Sequence, residues 1–157
     1  GMSKMFESYL AGQVAHLMEF APMFWPTINS YKRLVDGFWA PVKPTWGVDN
    51  RTASFRVIAG SPKSTRLETR CPGADVNPYL AMAACLAAGL YGIRKKMKLK
   101  QPATVGNGYR DYSNGTLPHT LIDATLQMKS SPIAAELFGK AFVDHFVQSR
   151  EWNGGNT

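Results

Sequence analysis

Cysteine is scarce in this sequence: only Cys71 and Cys85 occur among 157 residues. Two cysteines cannot form the disulfide framework of a small secreted domain, nor supply the ligands of a structural zinc site. We therefore predict two reduced, partly buried thiols in a cytoplasmic protein. The start of the chain shows no charged segment followed by an apolar core and a cleavage site, so we expect no export signal.

Long apolar runs are also missing. The longest, Tyr79 to Ile93, falls short of the roughly 20 residues that span a bilayer, and it contains Gly89 and Gly92. We interpret it as a buried helix and expect no membrane segment. With 45% hydrophobic and 18% charged residues, the composition predicts one folded domain and excludes global disorder.

Acidic residues are few. Eleven Asp and Glu face 18 Lys and Arg, which gives a net charge of +7. That excess favours anionic partners, and nucleic acid, an anionic membrane, nucleotides and acidic metabolites all remain open at this point. The three histidines show no metal-ligand spacing, and no Gly-x-x-x-x-Gly-Lys phosphate loop is present. Ser61 has no histidine nearby, so a nucleophilic triad is not expected.

Apolar periodicity predicts an alternation of helices and short strands. Residues at helical spacing indicate a helix over 4–21 that ends at Pro22. The other predicted elements are a helical turn over 29–35, an aromatic, proline-rich loop over 36–49, strands over 53–58 and 66–71, a helix over 77–96 that is apolar nearly all round, a long loop over 97–118, and helices over 120–128, 132–138 and 140–152. Asn77 followed by Pro78 is a helix-start signal.

Basic residues concentrate around the two predicted strands. The six cations of this region are Arg33, Arg51, Arg56, Lys63, Arg66 and Arg70. Arginine's planar fork suits carboxylate and phosphate oxygens. The pattern alone leaves two interpretations open: a solvated basic sheet face, or a site for anionic ligands.

Glu68 lies between two of these arginines on one predicted strand face. Nearby positive charge lowers the pKa of a carboxyl group, so Glu68 should be ionised. It could be part of a surface ion-pair ladder, which contributes little to stability. It could instead be an oxygen ligand of a cation such as magnesium. One glutamate does not complete such a site, and no carboxylate cluster is obvious in the sequence.

Six short motifs follow one another in a characteristic order. They are Asn29-Ser-Tyr-Lys-Arg-Leu34, Ala40-Pro41, Asn50-Arg-Thr-Ala-Ser54 with Arg56, Ser61-Pro-Lys63, Arg66-Leu-Glu-Thr-Arg70, and Asn77-Pro-Tyr-Leu80. This series resembles the catalytic-domain motifs of the glutamine synthetase family. The resemblance implies an α+β fold in which antiparallel strands form part of an open, barrel-like site covered by helices. It also implies that residues 2–157 are the C-terminal portion of that domain, without the family's N-terminal β-grasp domain and final helix.

The resemblance assigns three arginines to the substrate. Arg33 would contact the carboxylate of a glutamate-like acid. Arg51 would act as the catalytic residue, lying between the substrate and the transferred phosphoryl group. Arg70 would make a further substrate or phosphoryl contact.

The resemblance assigns the remaining candidates to cofactors. Arg56 and Lys63 would lie near the nucleotide phosphates, and Arg66 would help to hold the nucleotide. Glu68 would be one ligand of a second Mg²⁺ or Mn²⁺ ion. The cofactors implied are thus ATP and a divalent metal.

The implied reaction has two steps. ATP phosphorylates the carboxylate of glutamate, and ammonia or an amine then displaces phosphate. In the family, the active site lies between neighbouring subunits of a ring, so the full-length protein is expected to be a ring-forming homo-oligomer. The chain alone is predicted to be inactive.

One position departs from the family pattern. Trp39 occupies the place of the flap glutamate that assists deprotonation of ammonium, and an indole cannot act as that base. The substitution favours the branch of the family that resembles γ-glutamyl-amine ligases. It also leaves open a non-catalytic structural relative. A basic nucleic-acid-binding module ranks last, because the cations fall inside ligase motifs.

Overall fold

The computed structural model describes residues 1–35 and 43–155. Within them the chain forms seven α-helices and three β-strands. In chain order these are α1 (Lys4–His16), α2 (Ala21–Phe24), α3 (Ile28–Tyr31), β1 (Trp46–Val48), β2 (Phe55–Ile58), β3 (Arg66–Thr69), α4 (Pro78–Arg94), α5 (Leu121–Lys129), α6 (Pro132–Phe138) and α7 (Lys140–Gly155). The segment between α4 and α5 is irregular apart from a 3₁₀ turn at Gly108–Arg110, in agreement with the predicted long loop.

The sheet is small, open and mixed. Its order is β1-β2-β3, with β1 parallel to β2 and β2 antiparallel to β3. The expectation of antiparallel strands is therefore correct for one pair and wrong for the other. Strand β1 lies within the predicted loop over 36–49, because three residues that include Gly47 give no readable alternation.

Helix α1 ends earlier than the sequence predicted. It stops at His16, and Pro22 then falls in the first turn of α2. A proline inside a continuous helix would lack its N–H donor and clash with the preceding turn, whereas in the first turn it costs nothing. The predicted helix over 4–21 is thus divided by a turn at residues 17–20.

Helices α1 and α4 pack with their backbones in contact. A Cβ atom added to Gly92 would lie 2.1 Å from the Ser8 carbonyl oxygen and 2.8 Å from the Gly12 Cα. A Cβ atom on Gly12 would lie 2.2 Å from the Ala88 carbonyl oxygen. Only glycine permits this approach at both positions. The contact fixes α4, and with it the end of the β3–α4 connection, against α1.

Helix α4 begins where predicted but is not buried all round. The Asn77 Oδ1 atom accepts hydrogen bonds from the backbone N–H groups of Tyr79 (3.0 Å) and Leu80 (3.4 Å). One face of small residues is buried, whereas the other carries an apolar stripe. The exposed members of this stripe are Tyr79 (83%), Met82 (69%), Leu86 (53%) and Leu90 (52%). The prediction of a central buried helix is therefore wrong.

The C-terminal helices match their predicted bounds closely. The Thr120 and Ser131 hydroxyls cap α5 and α6 by accepting from the N–H groups three residues ahead, each at 3.1 Å. Gly139, at φ +83°, separates α6 from α7. Phe20 and Trp25, each 1% exposed, belong to the aromatic part of the core, where Phe20 packs edge-on against Phe138 of α6 with ring centroids 5.2 Å apart. Within the described ranges, no helix has the length and apolar character needed to cross a bilayer.

Candidate functional site

A charged cluster lies on one face of the β2–β3 pair. The antiparallel register sets Arg56 directly opposite Glu68, and the Arg56 Nη1 atom donates to the Glu68 Oε2 atom at 2.9 Å. Arg70 donates from Nη1 to the other oxygen, Oε1, at 2.5 Å. Arg56 also donates from Nε to the Asp49 Oδ1 atom at 3.1 Å. We refer to Asp49, Arg56, Glu68 and Arg70 as the Glu68 cluster.

The cluster keeps its carboxylate ionised. Partial burial alone would raise the pKa of Glu68, but hydrogen bonds and positive charge from Arg56 and Arg70 outweigh it. The net pKa therefore lies below its ordinary value of 4.5, as predicted from the strand pattern. Asp49 and then Glu68 raise the pKa of Arg56 by accepting its hydrogen bonds. Arg56 and Glu68 thus each stabilise the ionised form of the other.

A carboxylate oxygen is a suitable donor for magnesium, but the described residues do not complete a metal site. Both oxygens of Glu68 already accept from guanidinium groups. No group of three or more His, Cys, Asp or Glu side chains that could hold a metal ion occurs in the described ranges. Glu68 can therefore contribute one ligand, by exchanging an arginine for a cation, and the other ligands would have to come from elsewhere.

Arg51 lies in the turn between β1 and β2, beside an open groove of about 530 Å³. Asn50 shapes this turn, because its Nδ2 atom donates to the carbonyl oxygens of Thr104 (3.1 Å) and Gly106 (2.8 Å). The Arg51 side chain makes no hydrogen bond or ion pair within the described part of the chain, and the residue is exposed. Arg51 therefore places a positive charge beside the groove, and no carboxylate among the described residues pairs with it.

Lys63 lies in the β2–β3 connection, and Arg66 is the first residue of β3. Both residues are exposed. Arg66 donates from Nη1 to the Ser64 carbonyl oxygen at 3.2 Å. No described contact joins either cation to the cluster, so their assignment to the nucleotide stays a prediction.

Arg33 is also separate from the cluster and has its own acidic partner. Its Nη2 atom lies 2.5 Å from the Asp75 Oδ1 atom. The motif series assigned no role to Asp49 or Asp75. Among the described residues of this region, Asp49, Glu68 and Asp75 each pair with an arginine, and the scarcity of acids was the signal that could have pointed to them. Trp39, at the predicted flap position, lies outside the described residues.

The sheet therefore presents arginines and one ionised glutamate on a single face, with an unpaired arginine beside it. Guanidinium groups of this kind suit carboxylate and phosphate oxygens. The model of the glutamine synthetase catalytic domain matches residues 1–156. The chain belongs to the glutamine synthetase family, as the motif series had indicated.

Characterised relatives fall into both functional branches. The chain is 54% identical over 154 residues to type-1 glutamine synthetase 2 of Dictyostelium discoideum, covering 96% of this chain and 29% of that protein. It is 44% identical over 147 residues to the gamma-glutamylethanolamide synthetase GlnA4 of Streptomyces coelicolor, covering 93% of this chain and 31% of that protein. The chain thus spans about a third of the length of these relatives.

A solved structure confirms the fold. The GmaS/ADP complex superposes with a TM-score of 0.83 at 32% identity, covering 98% of this chain and 36% of that one. The α+β catalytic-domain architecture is therefore shared, and the structural relative is one that was solved with ADP.

Proposed function

We propose that this chain is the C-terminal part of the catalytic domain of an ATP-dependent ligase that joins ammonia or an amine to the γ-carboxylate of glutamate. The observation that carries the proposal is the Glu68 cluster: one carboxylate held between Arg56 and Arg70 across β2 and β3. A surface ion-pair ladder requires only charge complementarity. Here Arg56, Glu68 and Arg70 fall on the family's motif positions, and the unpaired Arg51 is close to Arg56 in sequence.

The arginines account for the chemistry of phosphoryl transfer. In the transition state, negative charge spreads over the phosphoryl oxygens, and fixed cations stabilise it there more than in the ground state. Arg51 would supply the mobile cation, and Arg70 a second one fixed by Glu68. Arg33 would bind the carboxylate of the acid substrate. Arg56, Lys63 and Arg66 would bind the nucleotide phosphates.

A divalent metal would neutralise phosphate charge in this reaction, with Glu68 as one of its oxygen ligands. The described residues support one ligand only, and we propose that the remaining ligands come from elsewhere in a longer protein. For the same reason we expect no turnover by residues 1–157 alone. In that longer protein we propose a cytoplasmic ring of identical subunits, which light scattering of the purified full-length gene product would detect.

Both branches of the family supply candidate amines. One relative is named as a glutamine synthetase and another as a gamma-glutamylethanolamide synthetase. Trp39 favours an amine larger than ammonia, because an indole cannot deprotonate ammonium but can line an apolar pocket. The same residue is the reason to retain a non-catalytic relative as the second candidate.

The test is ADP release by the full-length gene product. It is measured with glutamate and ammonia, then with glutamate and a panel of larger amines. The matched variants are Arg51→Gln, which removes the unpaired cation of the site, and Arg94→Gln, which removes a cation on α4. We expect release that Arg51→Gln abolishes and Arg94→Gln retains. Absence of release with every pair, from a folded protein that binds ATP, would leave the non-catalytic alternative.

A further inference from the structure

Asp75 holds Arg33 in a fixed arrangement that an ordinary surface ion pair lacks. The carboxylate accepts from the Arg33 Nη2 atom at 2.5 Å on one oxygen. Its other oxygen accepts from the Ser30 hydroxyl at 2.6 Å and from the Thr27 hydroxyl at 3.3 Å. Asp75 therefore connects the start of α3, where Thr27 and Ser30 form a reciprocal cap, to the arginine just beyond the end of the same helix.

Gly73 leaves the space in which this pair lies. A Cβ atom at position 73 would lie 2.2 Å from the Arg33 Nη2 atom and 2.9 Å from the Asp75 Oδ1 atom. The guanidinium thus lies directly against the backbone of the β3–α4 connection. An alanine at this position would force the far end of the Arg33 side chain to shift.

One edge of the guanidinium is occupied and the rest is open. The Arg33 side chain is 45% exposed, and within the described ranges it donates to no group other than Asp75. Burial alone would raise the pKa of Asp75, but hydrogen bonds from Ser30 and Arg33 outweigh it and lower the pKa. The anchor is therefore a permanent anion near neutral pH, and the remaining N–H groups of Arg33 stay available to a ligand.

The ion pair of Arg94 with Glu136 has fewer supporting contacts than the ion pair of Arg33 with Asp75. Arg94 and Glu136 also form an ion pair, at 3.2 Å, with side chains that are 59% and 50% exposed. No described hydroxyl holds Glu136, and no close backbone approach confines Arg94. Such a pair contributes little and orients nothing.

We propose that Asp75 is a positioning residue, which holds one edge of the Arg33 guanidinium so that the opposite edge faces the carboxylate of the acid substrate. This inference rests on the proposed function, in which Arg33 contacts that carboxylate. A fork held in place before binding loses less conformational freedom when it pairs with a carboxylate. Asp75 therefore acts on affinity for the acid, not on the nucleotide.

The test uses steady-state kinetics of the full-length gene product with Asp75→Asn. We expect the KM for the acid substrate to rise about tenfold, as for one weakened charge-assisted hydrogen bond. The KM for ATP and the kcat should stay within about threefold of the wild-type values. Asp75→Glu, which restores the charge, should give an intermediate KM for the acid. Glu136→Gln removes the same charge from the comparison pair and should change neither KM.

Two further variants alter the Arg33–Asp75 contact without changing the charge of either residue. Gly73→Ala displaces the guanidinium, and Ser30→Ala removes one hydrogen bond from Asp75. Both should raise the KM for the acid, and combining Gly73→Ala with Asp75→Asn should add less than the two separate effects. If Asp75→Asn does not fold, Ser30→Ala decides the question.

Three outcomes would overturn the inference. One is an unchanged KM for the acid in a folded Asp75→Asn or Ser30→Ala variant. Another is an equal rise in the KM values for acid and ATP, which indicates a general structural role. The third is a wild-type protein without turnover, and only this one overturns the proposed function as well.

Discussion

Replacement of Glu68 by glutamine separates the two interpretations of the central carboxylate. The amide keeps the size of the side chain and removes its charge. It weakens two ion pairs, to Arg56 at 2.9 Å and to Arg70 at 2.5 Å. If Glu68 is part of an ion-pair ladder, the change should lower only the stability of the fold. If Glu68 is part of a binding site, the change should mainly lower the activity.

The expected loss of stability is small. The Glu68 side chain is 37% exposed, and Arg56 retains Asp49 as a partner. Partly exposed pairs each contribute about 0.2–1 kcal/mol, so Glu68→Gln should lower the free energy of unfolding by about 1 kcal/mol. In a domain of this size the thermal midpoint should fall by about 2–4 °C.

The expected loss of activity is much larger. Removal of groups that merely orient a metal ligand costs about 10–100-fold in activity, and Glu68 is proposed to be a ligand itself. We therefore expect ADP release by the full-length protein to fall at least about 100-fold, with a higher requirement for Mg²⁺. Glu136→Gln is the control of equal charge. A folded Glu68→Gln protein with near wild-type turnover would refute the role in the site, and a loss above about 3 kcal/mol would show a buried network instead of a partly solvated one.

Three further predictions concern the frame around the site. Gly92→Ala places a methyl group 2.1 Å from the Ser8 carbonyl oxygen. Because that oxygen belongs to the backbone and cannot easily move, we expect urea unfolding to show a free energy of unfolding lower by about 2 kcal/mol or more. The helix propensity of alanine, about 1 kcal/mol better than that of glycine, acts in the opposite direction. Stabilisation by this substitution would contradict the backbone contact. Burial raises the pKa of the Cys71 thiol to about 12, so iodoacetamide at about pH 8 should label Cys71 only after unfolding, as mass spectrometry would show. The pKa values of Glu68 and Asp75 are lowered in the folded state. Their contribution to stability is therefore present above their ordinary pKa values of 4.5 and 3.8, and it is lost as the pH falls through the lower pKa values of the folded state. Acid unfolding followed by circular dichroism should show a shallower loss of stability in Glu68→Gln than in the wild type.

Local signals predicted the starts of α4 and α6 well, whereas the end of α1 was placed too late. Asn77 before Pro78 and Ser131 before Pro132 are signals for a helix start that involve only the first few residues of the helix. Helices α4 and α6 begin at these prolines. A cap is a contact between near neighbours in sequence, so no tertiary information is needed to find it.

Features that depend on distant partners were not predicted. Strand β1 lies within the predicted loop, so its parallel pairing with β2 was missed; alternation would also not show the direction of a neighbouring strand. The composition of α4 showed that it is apolar but not which face meets α1.

The motifs indicated the candidate site residues but not their contacts. Glu68 with its flanking arginines was found on β3, since residues two apart on a strand share a face. The pairing of Arg33 with Asp75 joins positions that are far apart in the sequence, and it became visible only when the β3–α4 connection was placed against α3. The ion pair of Asp49 with Arg56 likewise depends on a turn that the predicted loop did not describe.

The glycine contact between α1 and α4 has a consequence for synthesis of the chain on the ribosome. Gly12 and Gly92 must both have emerged before the two helices can pack, and some eighty positions separate them. At about 5–20 residues per second, α1 waits for its partner for roughly 4–16 s. During this interval Leu10, which is 0% exposed in the folded chain, and its apolar neighbours face water. We expect chaperones that recognise apolar segments to bind the nascent α1 helix, and to leave it once α4 has emerged.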